Sequence, residues 1–332
     1  MKSCRLLFFL ACCVPLAAHA VDDTYAGPEK GFLFIHGGGK VTEEEKKRFV
    51  ELAGGSTANV VLITTAMPEK EVTDQGYKKG QGRGWAKLWG INKVTMLDIR
   101  DKEHANSQSI SDIFRKATGV WIMGGRQWRL VDAYLGTSVE REIKALIQRG
   151  GVVGGSSAGA TIQGSYLVRG SSGTESNPNG NRNIMMAPGY ETGFGLLPNS
   201  AIDQHINTRH REHDLDSVIN VHPELLGIGI DEGAAIIVHG DFFSVMGGSV
   251  IIHKKNKNGS IGNETLTSGQ IFNLKTRKRN SSAKNFIRGS AVNIKSLKDC
   301  SIDLYSKIPI IYIGEISTNR FYCANSDLPK GN

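Results

Sequence analysis

A glycine-rich stretch at residues 150–160 restricts the fold of this chain more than any other feature of its 332 residues. A small apolar run ends there in a dense set of glycines, which frame a serine as Gly155-x-Ser157-x-Gly159. This pattern is typical of a sharp turn from a buried strand into a helix, because glycines leave room where side chains would collide. Such a turn exposes its serine beside the first N–H groups of the helix, which can bind an anion. Ser157 is therefore a candidate nucleophile, and the alternative is a glycine-rich turn with an incidental serine.

The first twenty residues have the pattern of a signal peptide. Lys2 and Arg5 precede an apolar run, and the small-x-small sequence at residues 18–20 is typical of a cleavage site. The apolar run is too short to be a spanning helix. We therefore expect an exported chain, secreted or periplasmic, that begins at Val21 and has no membrane association after cleavage.

Removal of this leader changes the charge and the cysteine content. The formal charge falls by two from +8, and two of the five cysteines remain, Cys300 and Cys323. In an exported protein, two cysteines this close favour one disulfide, and two unpaired thiols are the alternative. The modest positive excess is compatible with an acidic substrate. It does not indicate nucleic acid, because no aromatic residues interleave a basic stripe.

Apolar β-like runs alternate with helical segments along most of the chain. The runs before the serine are residues 31–35, 59–65, 93–99, 119–123 and 152–155. This alternation predicts an α/β fold with a doubly wound, mostly parallel sheet and helices on both faces. We place the catalytic domain at residues 21–252. From residue 253 the composition shifts to Lys, Asn, Ser and Gly, which predicts a small β-rich extension over residues 253–332.

An activated serine needs a general base, and that base needs a group that orients it. His205 follows an apolar strand, and in a doubly wound sheet the carboxyl ends of strands line the ligand crevice. His36 also ends a strand and is the rival base. The candidates for the orienting acid, among which spacing does not choose, are Glu175, Asp203, Asp231 and Glu232.

Four motifs occur in one order along the chain. They are Met123-Gly124-Gly125-Arg126-Gln127, the stretch at residues 154–160, Asp203-Gln204-His205 with Arg209 and Arg211, and Gly227-Ile228-Gly229-Ile230-Asp231-Glu232. The motifs and their order closely resemble cyanophycinase and its relatives, which include aspartyl dipeptidases. The resemblance covers roughly residues 30–250. It implies a serine peptidase on a flavodoxin-like sheet, related in architecture to class I glutamine amidotransferases.

The resemblance also implies roles for individual residues. By it, Ser157 is the nucleophile, His205 the general base, and Glu175, in the loop after the serine, the acid. Gln127 matches a residue that lines the substrate site. An oxyanion hole would be formed by backbone N–H groups, those of Gly125 and Ala158, where negative charge develops during acyl transfer.

The substrate that the resemblance implies is cyanophycin, a polyaspartate with arginine on each β-carboxyl, which is cleaved to β-aspartyl-arginine. Asp203 and Gln204 would lie at the substrate site, and Arg209 and Arg211 could pair with carboxylates. A solvated helix start is the alternative for the two arginines. Arg126 departs from the family, which often has an acidic or neutral residue there. A cation there opposes an arginyl side chain, so related aspartyl peptides remain candidate substrates.

Two other functions compete with a peptidase. The serine motif also fits an α/β-hydrolase esterase, but in that fold the glycine motif follows the third strand and the histidine lies near the chain end. An exported binding protein without catalysis is the second alternative. No metal or organic cofactor is implied, since the spacing of His205, His210 and His213 matches no standard metal site. A homodimer is compatible with the sequence, which does not give the oligomeric state.

Overall fold

The apolar runs of the sequence form two β-sheets in the computed structural model, which describes residues 26–169 and 189–280. The strands are β1 (Phe32–His36), β2 (Asn59–Ile63), β3 (Lys93–Leu97), β4 (Gly119–Ile122), β5 (Val152–Ser156), β6 (Gly164–Tyr166), β7 (Leu197–Gln204), β8 (Leu226–Ile230), β9 (Ala234–His239), β10 (Phe242–Gly247), β11 (Ser249–Lys255), β12 (Ile261–Thr267), β13 (Ile271–Asn273) and β14 (Lys278–Asn280). The α-helices are α1 (Glu43–Leu52), α2 (Glu69–Asp74), α3 (Tyr77–Gly80), α4 (Arg83–Trp89), α5 (Lys102–Ala105), α6 (Gln108–Lys116), α7 (Gln127–Tyr134), α8 (Ser138–Gln148), α9 (Ala158–Thr161), α10 (Ile206–Arg209) and α11 (Asp214–Val221). Every described residue belongs to one compact unit of the chain.

The larger sheet has nine strands in the order β14-β13-β10-β9-β1-β5-β4-β2-β3. The five strands from β1 to β3 in this order pair in parallel, and β9 joins the other side of β1 in antiparallel orientation. This confirms the predicted mostly parallel sheet. In the register, His36 lies opposite Ser156 of β5 and Ala235 of β9. The end of β1 therefore lies between the serine turn and the segment that follows β8.

Helices cover both faces of the larger sheet, as predicted. Phe34 of β1 packs with Phe49 of α1 and Trp85 of α4 on one face, while its neighbours Leu33 and Ile35 join the core on the other face. That second core includes Phe114 of α6 and side chains of α7 and α8. Because each buried large apolar side chain contributes about 1.5–3 kcal/mol, these two layers fix the position of β1 within the sheet.

The smaller sheet, which the sequence did not predict, has five strands in the order β12-β11-β8-β7-β6. Its strands β7 and β8 pair in parallel, with Gln204 opposite Ile230. The carboxyl ends of these strands therefore lie side by side, immediately before His205 and Asp231. β8 is buried throughout and β7 is buried from Ser200 to Gln204, and a buried run of this kind does not reveal which sheet it joins.

The domain boundary predicted at residue 252 falls inside β11. Beyond it, β12 pairs with β11 in the smaller sheet and β13 pairs with β10 in the larger sheet. Leu266 and Phe272 are fully buried. Residues 253–280 therefore form a β-rich C-terminal region whose strands join the two sheets. The signal peptide, Cys300, Cys323 and the chain after residue 280 lie outside the described residues.

No helix within residues 26–169 and 189–280 combines the length and the apolar composition that a membrane span requires.

Candidate active site

Ser157 occupies the turn between β5 and α9 in a backbone conformation that L-residues rarely adopt, with φ 56° and ψ −114°. The glycines on either side make this turn sterically feasible. A Cβ atom on Gly155 would lie 2.2 Å from the carbonyl oxygen of Gly159, and a Cβ on Gly159 would lie 2.1 Å from that of Ile122. Strain of this kind is found at functional sites, where the surrounding structure holds it. The close packing explains why the glycines frame the serine.

A chain of polar contacts runs from Ser157 through His205 to Glu232. The Oγ atom of Ser157 lies 2.8 Å from Nε2 of His205. The other ring nitrogen, Nδ1, is hydrogen-bonded to Oε1 of Glu232. His205 directly follows β7 and has a positive φ of 59°, which turns its side chain out of the strand path. This is the geometry in which a histidine takes a proton from a serine while a carboxylate holds its tautomer.

Burial is the largest influence on the pKa of His205 and lowers it below its ordinary value. The positive charge of Arg209 lowers the pKa further, whereas the hydrogen bond and charge of Glu232 raise it. Burial raises the pKa of Glu232, but hydrogen bonds to His205 and Thr208 and the charges of His205 and Arg209 together bring the pKa below its ordinary value. At neutral pH the pair therefore consists of a neutral imidazole and an ionised carboxylate, the state that a general base requires.

Glu232, among the four candidate acids, is the one that contacts His205 in the described part of the chain. Asp203 is fully buried in another network, and Glu175, which the resemblance favours, lies outside the described residues. Glu232 is the second residue after β8, and His205 is the first residue after β7. Spacing did not reveal this contact, because the parallel pairing of β7 with β8 is not readable from either strand alone.

The residues predicted for the oxyanion hole are adjacent to Ser157. Ala158 is the first residue of α9, so its N–H has no acceptor within the helix. Gly125 has a φ of 141°, and a Cβ atom there would lie 2.0 Å from the carbonyl oxygen of Ala66. A Cβ on Gly124 would lie 3.2 Å from Cβ of Ser157. The turn after β4 therefore packs tightly between the backbone of Ala66 and the side chain of Ser157.

Ser157 opens into a cavity of about 400 Å³ that is rich in arginine. Its lining includes Gly125, Gln127 and Gln204, which the sequence placed at the substrate site, and one acidic residue, Glu71. The five arginines in the lining are Arg126, Arg129, Arg169, Arg209 and Arg211. This excess of positive charge favours a substrate that carries carboxylates. The sequence analysis named Arg126, Arg209 and Arg211 but missed Arg129 and Arg169.

Asp203 anchors two of these arginines from beneath the cavity. Nε of Arg169 donates to both carboxylate oxygens of Asp203, at 2.6 and 2.8 Å, and Nη1 of Arg211 lies 3.6 Å from Oδ1. Asp203 is fully buried and does not belong to the cavity lining. It was predicted at the substrate site, and in the structure it supports that site through Arg169 and Arg211.

Gln127 is the first residue of α7 and is also held firmly. Its Nε2 donates to the carbonyl oxygen of Val168 at 2.8 Å, next to Arg169. His36, the rival base, is fully buried, and its ring contacts Ser156 and Glu45 rather than Ser157. Within residues 26–169 and 189–280, no three His, Cys, Asp or Glu side chains form a group that could hold a metal ion.

Comparison with known proteins gives one consistent result. The model of peptidase family S51 matches residues 33–246. A cyanophycinase from Nostoc sp. is 32% identical over 221 residues, which are 66% of this chain and 69% of the relative. A cyanophycinase from Geminocystis herdmanii is also 32% identical, over 66% of this chain and 75% of the relative. The crystal structure of a peptidase from an acI-B1 Actinobacterium has the same fold, with a TM-score of 0.56, 22% identity and coverage of 74% of this chain and 98% of that one.

Proposed function

The chain belongs to peptidase family S51, and from this membership we propose that it is an exported serine peptidase that cleaves aspartyl peptides of the cyanophycin kind. The observation that carries the proposal is the contact chain from Ser157 through His205 to Glu232. It joins a strained serine, a histidine with a lowered pKa and an orienting carboxylate. A binding protein without catalysis would have no need of this arrangement.

The proposed reaction is acyl transfer to Ser157 followed by hydrolysis. Oγ of Ser157 attacks the carbonyl carbon of the scissile peptide bond while Nε2 of His205 takes its proton. The tetrahedral oxyanion is stabilised by the N–H groups of Gly125 and Ala158. When the C–N bond breaks, His205 returns the proton to the leaving amine. A water molecule then attacks the ester with His205 again as base, which releases the acid product and restores Ser157.

Two observations support an aspartyl peptide as the substrate. The two relatives reported above, from Nostoc sp. and Geminocystis herdmanii, are cyanophycinases. The cavity beside Ser157 is lined by five arginines and one acidic residue, which suits a chain of carboxylates. Arg126 lies among these arginines, and its charge opposes the arginyl side chains of cyanophycin. Unmodified aspartyl peptides therefore belong in the comparison of substrates.

The test is incubation of the purified protein with cyanophycin and with α- and β-aspartyl dipeptides, followed by chromatography of the products. Release of β-aspartyl-arginine from cyanophycin is expected, and it should vanish in Ser157→Ala. Covalent labelling of Ser157 by phenylmethylsulfonyl fluoride provides a substrate-independent check. A protein that is not labelled and cleaves none of these peptides would refute the proposal. Cleavage of a p-nitrophenyl ester with no aspartyl peptide cleaved would instead favour the esterase.

Export is proposed from the first twenty residues. The basic start, the apolar run and the small-x-small sequence support cleavage after Ala20. The test is to express the full chain in a bacterium and to sequence the N-terminus of the protein in the periplasmic fraction. We expect a chain that begins at Val21. Recovery of the intact chain from the cytoplasm alone would contradict export and leave the peptidase proposal untouched.

A further inference from the structure

Three successive carbonyl groups at the end of β1 hold the three segments of the contact chain. The carbonyl oxygen of His36 accepts from the N–H of Ser157 at 3.1 Å, and that of Gly37 accepts from the N–H of His205 at 2.8 Å. The carbonyl oxygen of Gly38 accepts from the N–H of Gly233, the residue after Glu232, at 3.0 Å. The backbone of residues 36–38 therefore sets the relative positions of serine, histidine and glutamate.

The segment also contacts the catalytic side chains directly. A Cβ atom on Gly38 would lie 2.2 Å from Cε1 of His205, and one on Gly39 would lie 2.9 Å from Oε2 of Glu232. The imidazole of His205 and the carboxylate of Glu232 therefore pack directly against the backbone of Gly38 and Gly39. A small movement of this segment would move both groups relative to Ser157.

The His36 side chain fixes the path of this segment. Its Nδ1 accepts a hydrogen bond from the backbone N–H of Gly38 at 3.1 Å, and Oγ of Ser156 lies 3.1 Å from the same nitrogen. Since Nδ1 accepts from Gly38, the ring proton of the neutral imidazole is on Nε2. Nε2 faces Glu45, whose Oε2 lies 3.6 Å away. His36 and Glu45 are 0% and 1% exposed.

Glu45 has one function that is already explained and one that is not. Its Oε2 accepts from the backbone N–H of Thr42 at 2.7 Å and completes a capping box at the start of α1. A cap needs no buried histidine. Nε2 of His36 and Oε1 of Glu45 have no hydrogen-bond partner among the described residues, although both atoms are buried. Such a charge facing an imidazole N–H is what holds one tautomer in metal and triad sites.

We infer that His36 and Glu45 form a second histidine–carboxylate pair that positions the catalytic triad. Glu45 holds the proton of His36 on Nε2, so that Nδ1 accepts a hydrogen bond from the backbone N–H of Gly38. This hydrogen bond keeps the segment 36–38 in its catalytic form. Neither residue contacts the cavity, and both act through Gly38 on His205. This inference rests on the proposed function of Ser157 and His205.

The first test compares His36→Leu, which removes the acceptor, with His36→Asn, whose Oδ1 can replace Nδ1 at Gly38. In the full chain we expect His36→Leu to lower kcat at least about tenfold, with KM changed less than about threefold, because proton transfer is misaligned while the cavity is intact. His36→Asn should restore most of this loss. The rate of labelling by phenylmethylsulfonyl fluoride should follow kcat. His239→Asn is the matched control, since His239 bonds the carbonyl oxygen of Gly31 at the other end of β1.

The second test separates the two functions of Glu45. Thr42→Ala removes the capping hydroxyl of α1, which also donates to Oε2 of Glu45 at 2.9 Å. It keeps the charge of Glu45 and the bond from the backbone N–H of Thr42, so it should lower Tm with little change in kcat. Glu45→Gln keeps an acceptor for Thr42 but removes the charge, and it should lower kcat several-fold with a Tm near that of the wild type.

A folded His36→Leu protein with the kcat and labelling rate of the wild type would overturn the inference. So would a loss that His36→Asn does not restore, because packing rather than the acceptor would then explain it. If His36→Leu fails to fold, Glu45→Gln decides, and an unchanged kcat there refutes the pair. Failure of the proposed function differs from all of these, since the wild type itself would then cleave no aspartyl peptide.

Discussion

The imidazole of His205 is influenced by charges of opposite sign. Burial and the positive charge of Arg209 lower its pKa below the ordinary value of 6.5, and Glu232 raises it. In the proposed mechanism the imidazole must be neutral to accept a proton, so a lowered pKa predicts activity on the acidic side of that value. The two neighbours therefore have opposite effects on the acid limit of catalysis.

Substitution of these neighbours should shift that limit in opposite directions. Arg209→Gln removes a charge that lowers the pKa, so the acid limb of kcat/KM should move to higher pH. Glu232→Gln removes a group that raises the pKa, so the limb should move to lower pH while the maximal rate falls. The measurement is kcat/KM across the acidic range for the wild type and both variants. Shifts in the same direction would contradict this account of His205.

The assignment of the acid can be tested with a pair of amide substitutions. Glu232→Gln should lower kcat by about two to four orders of magnitude, because an amide no longer holds the proton on Nδ1 of His205. Glu175→Gln should stay within about threefold of the wild type if Glu232 is the acid. The reverse ranking would support Glu175, the residue that the resemblance implied.

Arg126 is expected to control the choice between arginylated and plain aspartyl substrates. Arg126→Asp should raise the ratio of kcat/KM for cyanophycin over that for unmodified aspartyl peptides by about tenfold, which corresponds to ~1.4 kcal/mol. The control is Arg83→Asp, which changes an exposed arginine of α4 outside the cavity lining. An unchanged ratio would show that Arg126 does not face the substrate side chain.

The sequence singled out Ser157 and His205, which contact each other in the structure, but not the residues that hold them in place. Ser157 was found because its glycines are required by backbone packing, and His205 because it ends a buried run. The contact of Glu232 with His205 depends on the pairing of β7 with β8, which neither strand encodes alone. Arg169 lies just after β6, and its place in the cavity depends on the buried carboxylate of Asp203. Long-range contacts of this kind have no local signature.

The glycine segment after β1 acts as a structural element without regular secondary structure. Gly38 has a φ of 113° and lies against the ring of His205. Gly54 has a similar φ of 105°, in a turn where a Cβ atom would lie 3.3 Å from Oγ1 of Thr57. The two positions thus carry comparable backbone strain but different neighbours.

This pair provides a test of the segment. Gly38→Ala should lower kcat by about two orders of magnitude, because the new methyl group displaces the imidazole from Ser157. Gly54→Ala should lower Tm by about as much as Gly38→Ala does, and it should leave kcat unchanged. The measurements are kcat with an aspartyl peptide and Tm by calorimetry. Equal losses of kcat in both variants would indicate a general effect of strain.

The strand assignments show where sequence patterns are sufficient. The first five strands of the larger sheet were predicted because each is a short apolar run followed by a helical segment. The membership of β7 and β8 in the smaller sheet was not predicted, since a continuous buried run fits either sheet. The strands after residue 252 are short and rich in lysine and asparagine, which suggested an extension. The structure shows a β-rich region over residues 253–280, and its strands pair with β10 and β11, which the local composition does not indicate.

The stability of the whole molecule is expected to depend on the strands beyond residue 252. Phe272 of β13 is fully buried and stacks on Phe243 of β10, with ring centroids 5.2 Å apart. Phe272→Ala should cost about 3–5 kcal/mol of unfolding free energy and lower the Tm of the single transition. Ile271→Ala, at a half-buried neighbour, should cost less. A normal main transition in Phe272→Ala would instead favour a separate C-terminal domain.

The hydrogen bonds of residues 36–38 also bear on when activity arises during synthesis. These residues leave the ribosome early, but their partners follow at Ser157, His205 and Gly233, and β9 must still pair with β1. A growing chain therefore contains residues 36–38 long before it contains both Ser157 and His205, which these residues position. The arrangement of Ser157, His205 and Glu232 therefore depends on a chain that extends through β9 and closes the central sheet.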